Sequence, residues 1–283
     1  MDPGSSPSRT AFRVALRRAS HQILDTPRVL DDPIAVRIVG DDALARITAE
    51  PSTWLRSPAR GLRAFLVARS RVAEDALARA VARGVAQYVV LGAGLDTFAY
   101  RNPHPSLRVF EVDHPATQTW KRQKLAAARI AIPGNVTFAP VDFERQTAAD
   151  GLTTVGWRAD APTFFSWLGV TMYLTEPTVM ATLAWIATTP HGGGIVFDFA
   201  APRTSLGFFG RLAFDSLARR VARAGEPFRT FFDPAQLAAR MTAMGYRHVQ
   251  ALDRDALNAR YFQGRTDKLR VRGRMAGVME AEV

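Results

Sequence analysis

A short apolar run that ends in glycines constrains this chain most. Gln87-Tyr88-Val89-Val90-Leu91 leads straight into Gly92-Ala93-Gly94-Leu95-Asp96-Thr97. Fourteen residues beyond Gly94 a second run starts, Arg108 to Val112, and it ends in Asp113. Short runs rich in β-branched and aromatic residues, bounded by turn residues, read as strands. Strand, glycine turn, connection, strand and acid is how an open α/β sheet holds an adenosine-containing ligand at the carboxyl ends of its strands. The glycines let backbone approach the ligand, and the acid accepts hydrogen bonds from ribose hydroxyls.

The glycine spacing narrows the ligand. A dinucleotide fingerprint wants a third glycine, at position 97, so that helix and strand pack closely around a pyrophosphate. Thr97 stands there instead. S-adenosylmethionine (SAM) carries no phosphate, so Gly-x-Gly alone suits it better. A nicotinamide-dependent oxidoreductase on a related sheet is the alternative, and Thr97 argues against it.

Composition excludes several classes. A chain of 283 residues can bury a full core without staples. It has no cysteine, which removes disulfides, thiolate nucleophiles and zinc–cysteine sites, and no metal site is expected. No stretch approaches a membrane span. Met1 to Ser8 lacks the apolar core of a signal peptide, so the expected location is cytoplasmic. The net charge of +11 raises the question of nucleic acid. Only Lys121, Lys124 and Lys268 of the 37 basic residues are lysines, and the arginines are spread along the chain. The one dense cluster is Arg265, Lys268, Arg270, Arg272 and Arg274, without interleaved aromatics. It reads as a solvated face, which argues against nucleic acid as a partner.

The hydrophobic periods alternate. Residues 1–60 read as an N-terminal helical cap, with helices at 9–20 and 33–49. Asp32 is the N-cap before Pro33. Residues 61–283 then read as one ligand-binding domain. A long helix over 61–83 repeats apolar residues at three- and four-residue steps. Arg69 lies within its apolar stripe, whereas Arg71 points to solvent. A guanidinium on a buried face needs an anion, either an internal carboxylate or a bound one. Strands follow at 87–91, 108–112, 136–141, 163–167, 194–199 and 247–252, and a seventh is placed in 268–276. Helices fall at 115–130, 176–189 and 234–244. Residues 203–232 read as an inserted helical lid, its helix at 204–224. The expected fold is α/β: a seven-stranded, mostly parallel Rossmann-like sheet with helices on both faces.

By these residues the chain resembles the bacterial class I SAM-dependent methyltransferases related to leucine carboxyl methyltransferase. The stretches that carry the resemblance are Val67-Ala68-Arg69-Ser70-Arg71, Val90 to Thr97 with Tyr100-Arg101, and Phe110-Glu111-Val112-Asp113-His114-Pro115. Val141-Asp142-Phe143, Ser166 to Leu174 and Gly225-Glu226-Pro227-Phe228 continue it in order. The resemblance implies SAM as cofactor. It implies that Arg69 binds the methionine carboxylate, Gly92 and Gly94 line the methionine and ribose, Asp113 holds the ribose hydroxyls, and Asp142 with Phe143 meets the adenine. Phe143 stands where the family has leucine. Leu168 stands where the leucine carboxyl methyltransferases have a glutamate, which points to a small-molecule acceptor rather than a protein C-terminus.

The expected reaction is methyl transfer, as O-methylation of a carboxylate or hydroxyl. The acceptor pocket is expected over the fourth and fifth strand ends, with Trp167, Tyr173 and Phe228 as lining candidates. Phe208, Phe209, Phe231 and Phe232 would form an apolar lid, and Arg203 or Arg229 could hold an acidic acceptor. No general base stands out. His114 reads as a cap, and His21 and His191 lie in a helix end and a turn. That lack favours a carboxylate acceptor, already ionised at neutral pH. A third reading is a non-catalytic SAM-binding or nucleic-acid-binding protein.

Overall fold

A computed structural model describes residues 9–142, 146–205, 207, 211–212, 214–215, 219 and 227–283. Four helices open the chain: α1 (Arg9–Leu24), α2 (Pro33–Val39), α3 (Asp41–Ala49) and α4 (Pro51–Leu55). The single helix expected over 33–49 is two, because Gly40, at φ +89°, ends α2 and lets α3 start afresh. The long helix α5 (Ser57–Ala82) leads into β1 (Gln87–Leu91) and β2 (Arg108–Asp113). Then come α6 (Pro115–Ala127), β3 (Val136–Pro140), α7 (Ala148–Thr153), β4 (Thr163–Trp167), α8 (Glu176–Ala187) and β5 (Gly194–Ala200). The chain ends with α9 (Pro234–Ala243), β6 (Arg247–Leu252), α10 (Arg254–Tyr261) and β7 (Ala276–Glu282).

The seven strands form one sheet in the order β3-β2-β1-β4-β5-β7-β6. β1 pairs in parallel with β2 and β4, β2 with β3, and β4 with β5. β7 runs antiparallel to both β5 and β6. The last strand therefore lies eight residues later than the 268–276 segment expected to hold it. Residues 268–275 instead cross α5 as irregular backbone, with Leu269 and Val271 buried. The arginine run cannot fill a strand covered on both faces, whereas Ala276 to Ala281 can, with Gly277 against the Phe199 ring. α7 and α10 lie outside the helices expected. Most of the insertion helix expected over 204–224, and Phe208 and Phe209 with it, falls outside the described residues.

Strand residues alternate between two cores, as the pleat requires. Tyr88 and Val90 join Phe164, Val196 and Val278 under α5 and α10. Val89 and Leu91 join Phe110, Phe165, Trp167 and Phe197 under α7, α8 and α9. Both faces are covered, which is why β1, β4 and β5 are buried along their full length. Strand order reverses between β1 and β4, and a sheet of this kind opens its crevice there.

Candidate functional site

The turn after β1 is built for close approach. Gly92 sits at φ +65° and Gly94 at φ +46°, where a side chain would be strained. A Cβ on Gly92 would collide with Val170, just past β4, and one on Gly94 would press to 3.1 Å from Ala11 of α1. The first helix thus lies directly against the glycine turn. The cap also pins that turn from outside. Arg18 pairs with Asp32 and Asp96, both at 3.3 Å, and its Nη2 donates to the Leu95 carbonyl at 2.5 Å. The Thr97 hydroxyl donates to Asp32 at 2.7 Å. The residue at the missing third glycine therefore joins cap to turn. Asp32 also caps α2 through the Ala35 N–H at 3.1 Å.

At the end of β2, the Asp113 carboxylate accepts from the Gly94 N–H at 2.5 Å and the His114 N–H at 2.7 Å. Burial pushes its carboxyl above the usual range despite these two bonds, which pull the other way. Two residues earlier, Glu111 is buried against Lys121 (2.7 Å) and Tyr100 (3.1 Å), and burial raises its carboxyl too. Asp142 follows β3, and the Val141 N–H donates to the Asp113 carbonyl at 2.9 Å, so the two acids sit on adjacent strand ends. Phe143 lies outside the described residues. His114 is the N-cap of α6, its Nδ1 accepting from the Ala116 N–H at 3.2 Å.

On the other side of β1, Arg69 of α5 reaches the β4 end. Its side chain is 7% exposed and makes an ion pair with Asp198 of β5. The guanidinium lies against Gly169, where an added Cβ would stand 3.0 Å from Nη2. Arg69 Nε is buried without a hydrogen-bond partner. The internal carboxylate that a buried guanidinium requires is therefore Asp198, a residue the sequence reading passed over. The signal was available: Asp198 is the single acid in a run of seven buried residues, Gly194 to Ala200. Its Oδ1 accepts from the Gly169 N–H at 2.5 Å, and its own carbonyl accepts from the Thr171 hydroxyl at 2.6 Å.

The proposed acceptor side divides. Tyr173 and Phe228 meet, ring centroids 5.6 Å apart, and Phe214 and Phe231 extend the aromatic cluster. Backbone fastens this segment to the strand ends: Arg229 N–H to the Met172 carbonyl at 2.8 Å, and Phe232 N–H to the Ala200 carbonyl at 2.9 Å. Trp167 instead packs inside the second core at 1% exposure, its indole N–H unpartnered. Arg203 is engaged by Asp215 through bonds of 2.8 and 2.9 Å, and Arg229 is exposed. His21 is buried in the cap against Asp25, and His191 is exposed in a turn. In the C-terminal basic cluster, Arg265 binds Asp267 with its side chain 4% exposed, and Arg274 pairs with Asp255. The cluster is thus partly neutralised and partly buried. Among the described residues no group of three or more His, Asp or Glu is placed to hold a metal ion, and no helix is long and apolar enough to cross a membrane.

Comparison with known proteins agrees with this architecture. The family model of leucine carboxyl methyltransferase matches residues 11–187. YktD of Bacillus subtilis, by name a SAM-dependent methyltransferase, is 33% identical over 287 residues, covering 93% of this chain and 93% of YktD. A Mycobacterium avium protein of the same designation is 32% identical over 206 residues, covering 70% of this chain and 67% of its own. A solved structure from Thermobifida fusca, named as a methyltransferase, superposes with a TM-score of 0.58 at 16% identity, covering 98% of this chain and 95% of that one. A family protein from Streptomyces avermitilis gives 0.56 at 13% identity, with 99% of each chain covered. Likeness at such low identity speaks to the fold alone. None of these comparisons favours a nicotinamide oxidoreductase. The family match over more than half of the chain, joined to a relative one-third identical along nearly its whole length, gives the conclusion that this chain belongs to the leucine carboxyl methyltransferase family and is a class I SAM-dependent methyltransferase.

Proposed function

We propose that the protein O-methylates a small-molecule acceptor, on a carboxylate or hydroxyl, with SAM laid across the carboxyl ends of five neighbouring strands. One observation carries this reading. In sheet order, the strand ends present Asp142 after β3, Asp113 on β2, Gly92 and Gly94 after β1, Gly169 after β4, and Asp198 with Arg69 at β5. Adenine, ribose and amino-acid end are the successive parts of SAM, and the groups suited to each occur in that order. Asp142 is assigned to the adenine amino group and Asp113 to the ribose hydroxyls; the role expected of Phe143 at the adenine falls on a residue outside the described ones. Gly92 and Gly94 provide close backbone approach, and Arg69 receives the carboxylate. One feature of the residues fits this cofactor: the buried, unpartnered Nε of Arg69 offers a donor to its carboxylate.

Bound SAM supplies a methyl group on a sulfonium, already activated for in-line displacement. The protein's work is then alignment and exclusion of water, and alignment can contribute ~7–11 kcal/mol. Tyr173 and Phe228 form the apolar wall that orients the acceptor and keeps water from it. An ionised carboxylate needs no base; His21 is held by Asp25 and His114 caps α6.

The test is transfer of labelled methyl from SAM to panels of carboxylic acids and of phenols or alcohols. Label released as methanol by mild alkali identifies an ester, and alkali-stable label an ether. Transfer to neither panel, but to an amine or thiol, would overturn the O-methyl assignment. Phe228→Ala is expected to raise KM for the acceptor several-fold with SAM affinity unchanged.

A further inference from the structure

Asp198 is a buried acid of the crest to which the mechanism above gives no task. It stands on an interior strand, side chain 1% exposed. A lone carboxylate there is costly unless it is paired. Alternation along β5 directs it to the α5 face, since Val196, two residues earlier, packs in the core under α5. It thereby meets the Arg69 guanidinium and the Gly169 N–H just past β4. Arg69 and Asp198 together are electrically neutral. A ligand offering only a carboxylate would gain Arg69 and meet repulsion from Asp198. A ligand offering a carboxylate and an ammonium side by side finds an opposite charge for each. Arg69 is also incompletely used by Asp198, because its Nε is buried and unpartnered.

We propose that Asp198 is a cofactor-binding residue that receives the α-ammonium of SAM while Arg69 receives the adjacent α-carboxylate, so that the ion pair is a matched anchor for a zwitterion. This rests on the SAM reading given above. Binding exchanges one internal contact for two ligand-bridged ones. The Gly169 N–H and the hydrogen bond from Thr171 to the Asp198 carbonyl hold the acid in place while that happens. The ligand class selected is a nucleoside thioether or sulfonium ending in an amino acid, rather than the nucleoside alone.

The test is calorimetric binding, not turnover. S-adenosylhomocysteine, its deaminated analogue and 5′-methylthioadenosine are titrated into the wild type and into Asp198→Asn, which keeps an acceptor for Gly169. The wild type is expected to bind S-adenosylhomocysteine at least about ten-fold more tightly than the deaminated analogue, as a charged hydrogen bond warrants. In Asp198→Asn that preference collapses, with methylthioadenosine affinity unchanged, and Asp198→Glu restores part of it. A wild type indifferent to deamination overturns the proposal, and this arm needs no variant to fold. A preference that persists in a folded Asp198→Asn protein also overturns it. Failure of the wild type to bind any of the three, methylthioadenosine included, refutes the SAM site itself and this anchor with it.

Discussion

Asp113 holds its charge in a place that opposes it. Burial raises its carboxyl above the ordinary aspartate value, and the Gly94 and His114 N–H groups only partly offset this. The folded protein therefore takes up this proton at a higher pH than an unfolded aspartate would. Its contribution to folding favours lower pH, whereas ribose recognition requires the ionised form. Affinity for S-adenosylhomocysteine is expected to fall as pH drops towards the carboxylate range, starting above the usual ~4 of an aspartate. Asp113→Asn should weaken binding by about ten-fold or more at neutral pH, through bonds worth ~1.5–3 kcal/mol, and should flatten the acid limb. Calorimetry over a pH series checks both points. An acid limb that persists unchanged in the variant would mean that another group carries it. Arg69 obeys the opposite logic, because its charge is matched internally. Its replacement by alanine strands Asp198 as well as losing the cofactor, so loss of stability should accompany loss of affinity.

Among the elements, the cap and α5 are joined by a buried charge cluster rather than by apolar contact alone. Asp25, past the end of α1, receives Arg63 of α5 through bonds of 2.7 and 2.8 Å and His21 at 2.8 Å. Burial acts to raise its carboxyl, but the hydrogen bonds from His21 and Arg63 outweigh it and the net shift is downward. The stability this gives is present above the ordinary aspartate value and is lost as pH falls through the lower folded one. Arg63→Met is expected to cost ~3–5 kcal/mol in urea unfolding, since it leaves the buried Asp25 without its arginine partner, and Asp25→Asn in the same chain should recover part. A cost below about 1 kcal/mol would show that the cluster is a passive filler. Such joints were hard to read from sequence, and the reason is physical. β1 and β2 were legible because both faces are buried, which makes each a mostly apolar run bounded by turn residues or an acid. The Asp32–Pro33 start of α2 was legible because capping is local. β7 was misplaced because its context is its antiparallel pairing between β5 and β6, which only the folded sheet supplies. Asp198 was overlooked because its partner lies on α5, and its meaning depends on a crossing that only the folded sheet creates. Arg18 likewise gains its role only when α1 lies over the glycine turn.

At the scale of the molecule, the proposed SAM site belongs to no single element. α1 contributes Ala11 and Arg18, α5 contributes Arg69, and five strand ends supply the rest. A ligand held by such an array binds only the assembled state, so at free concentration L it stabilises that state by RT ln(1 + L/Kd). At ~100 times its dissociation constant the contribution is ~2.7 kcal/mol. For a chain of this size that corresponds to a rise of about 5 °C in the thermal midpoint. S-adenosylhomocysteine should produce this rise and NAD should not, since the turn carries Thr97 where a pyrophosphate site needs glycine. Scanning calorimetry at several ligand concentrations checks the dependence as well as the size. The rise should grow with the logarithm of free ligand once the site is saturated. Because α1 rests against Gly94, hydrogen exchange in α1 should slow together with that of the β1 turn when ligand is added. If the midpoint rises but α1 exchanges as before, the first helix is only a neighbour of the crevice, and the sheet and α5 alone form the site.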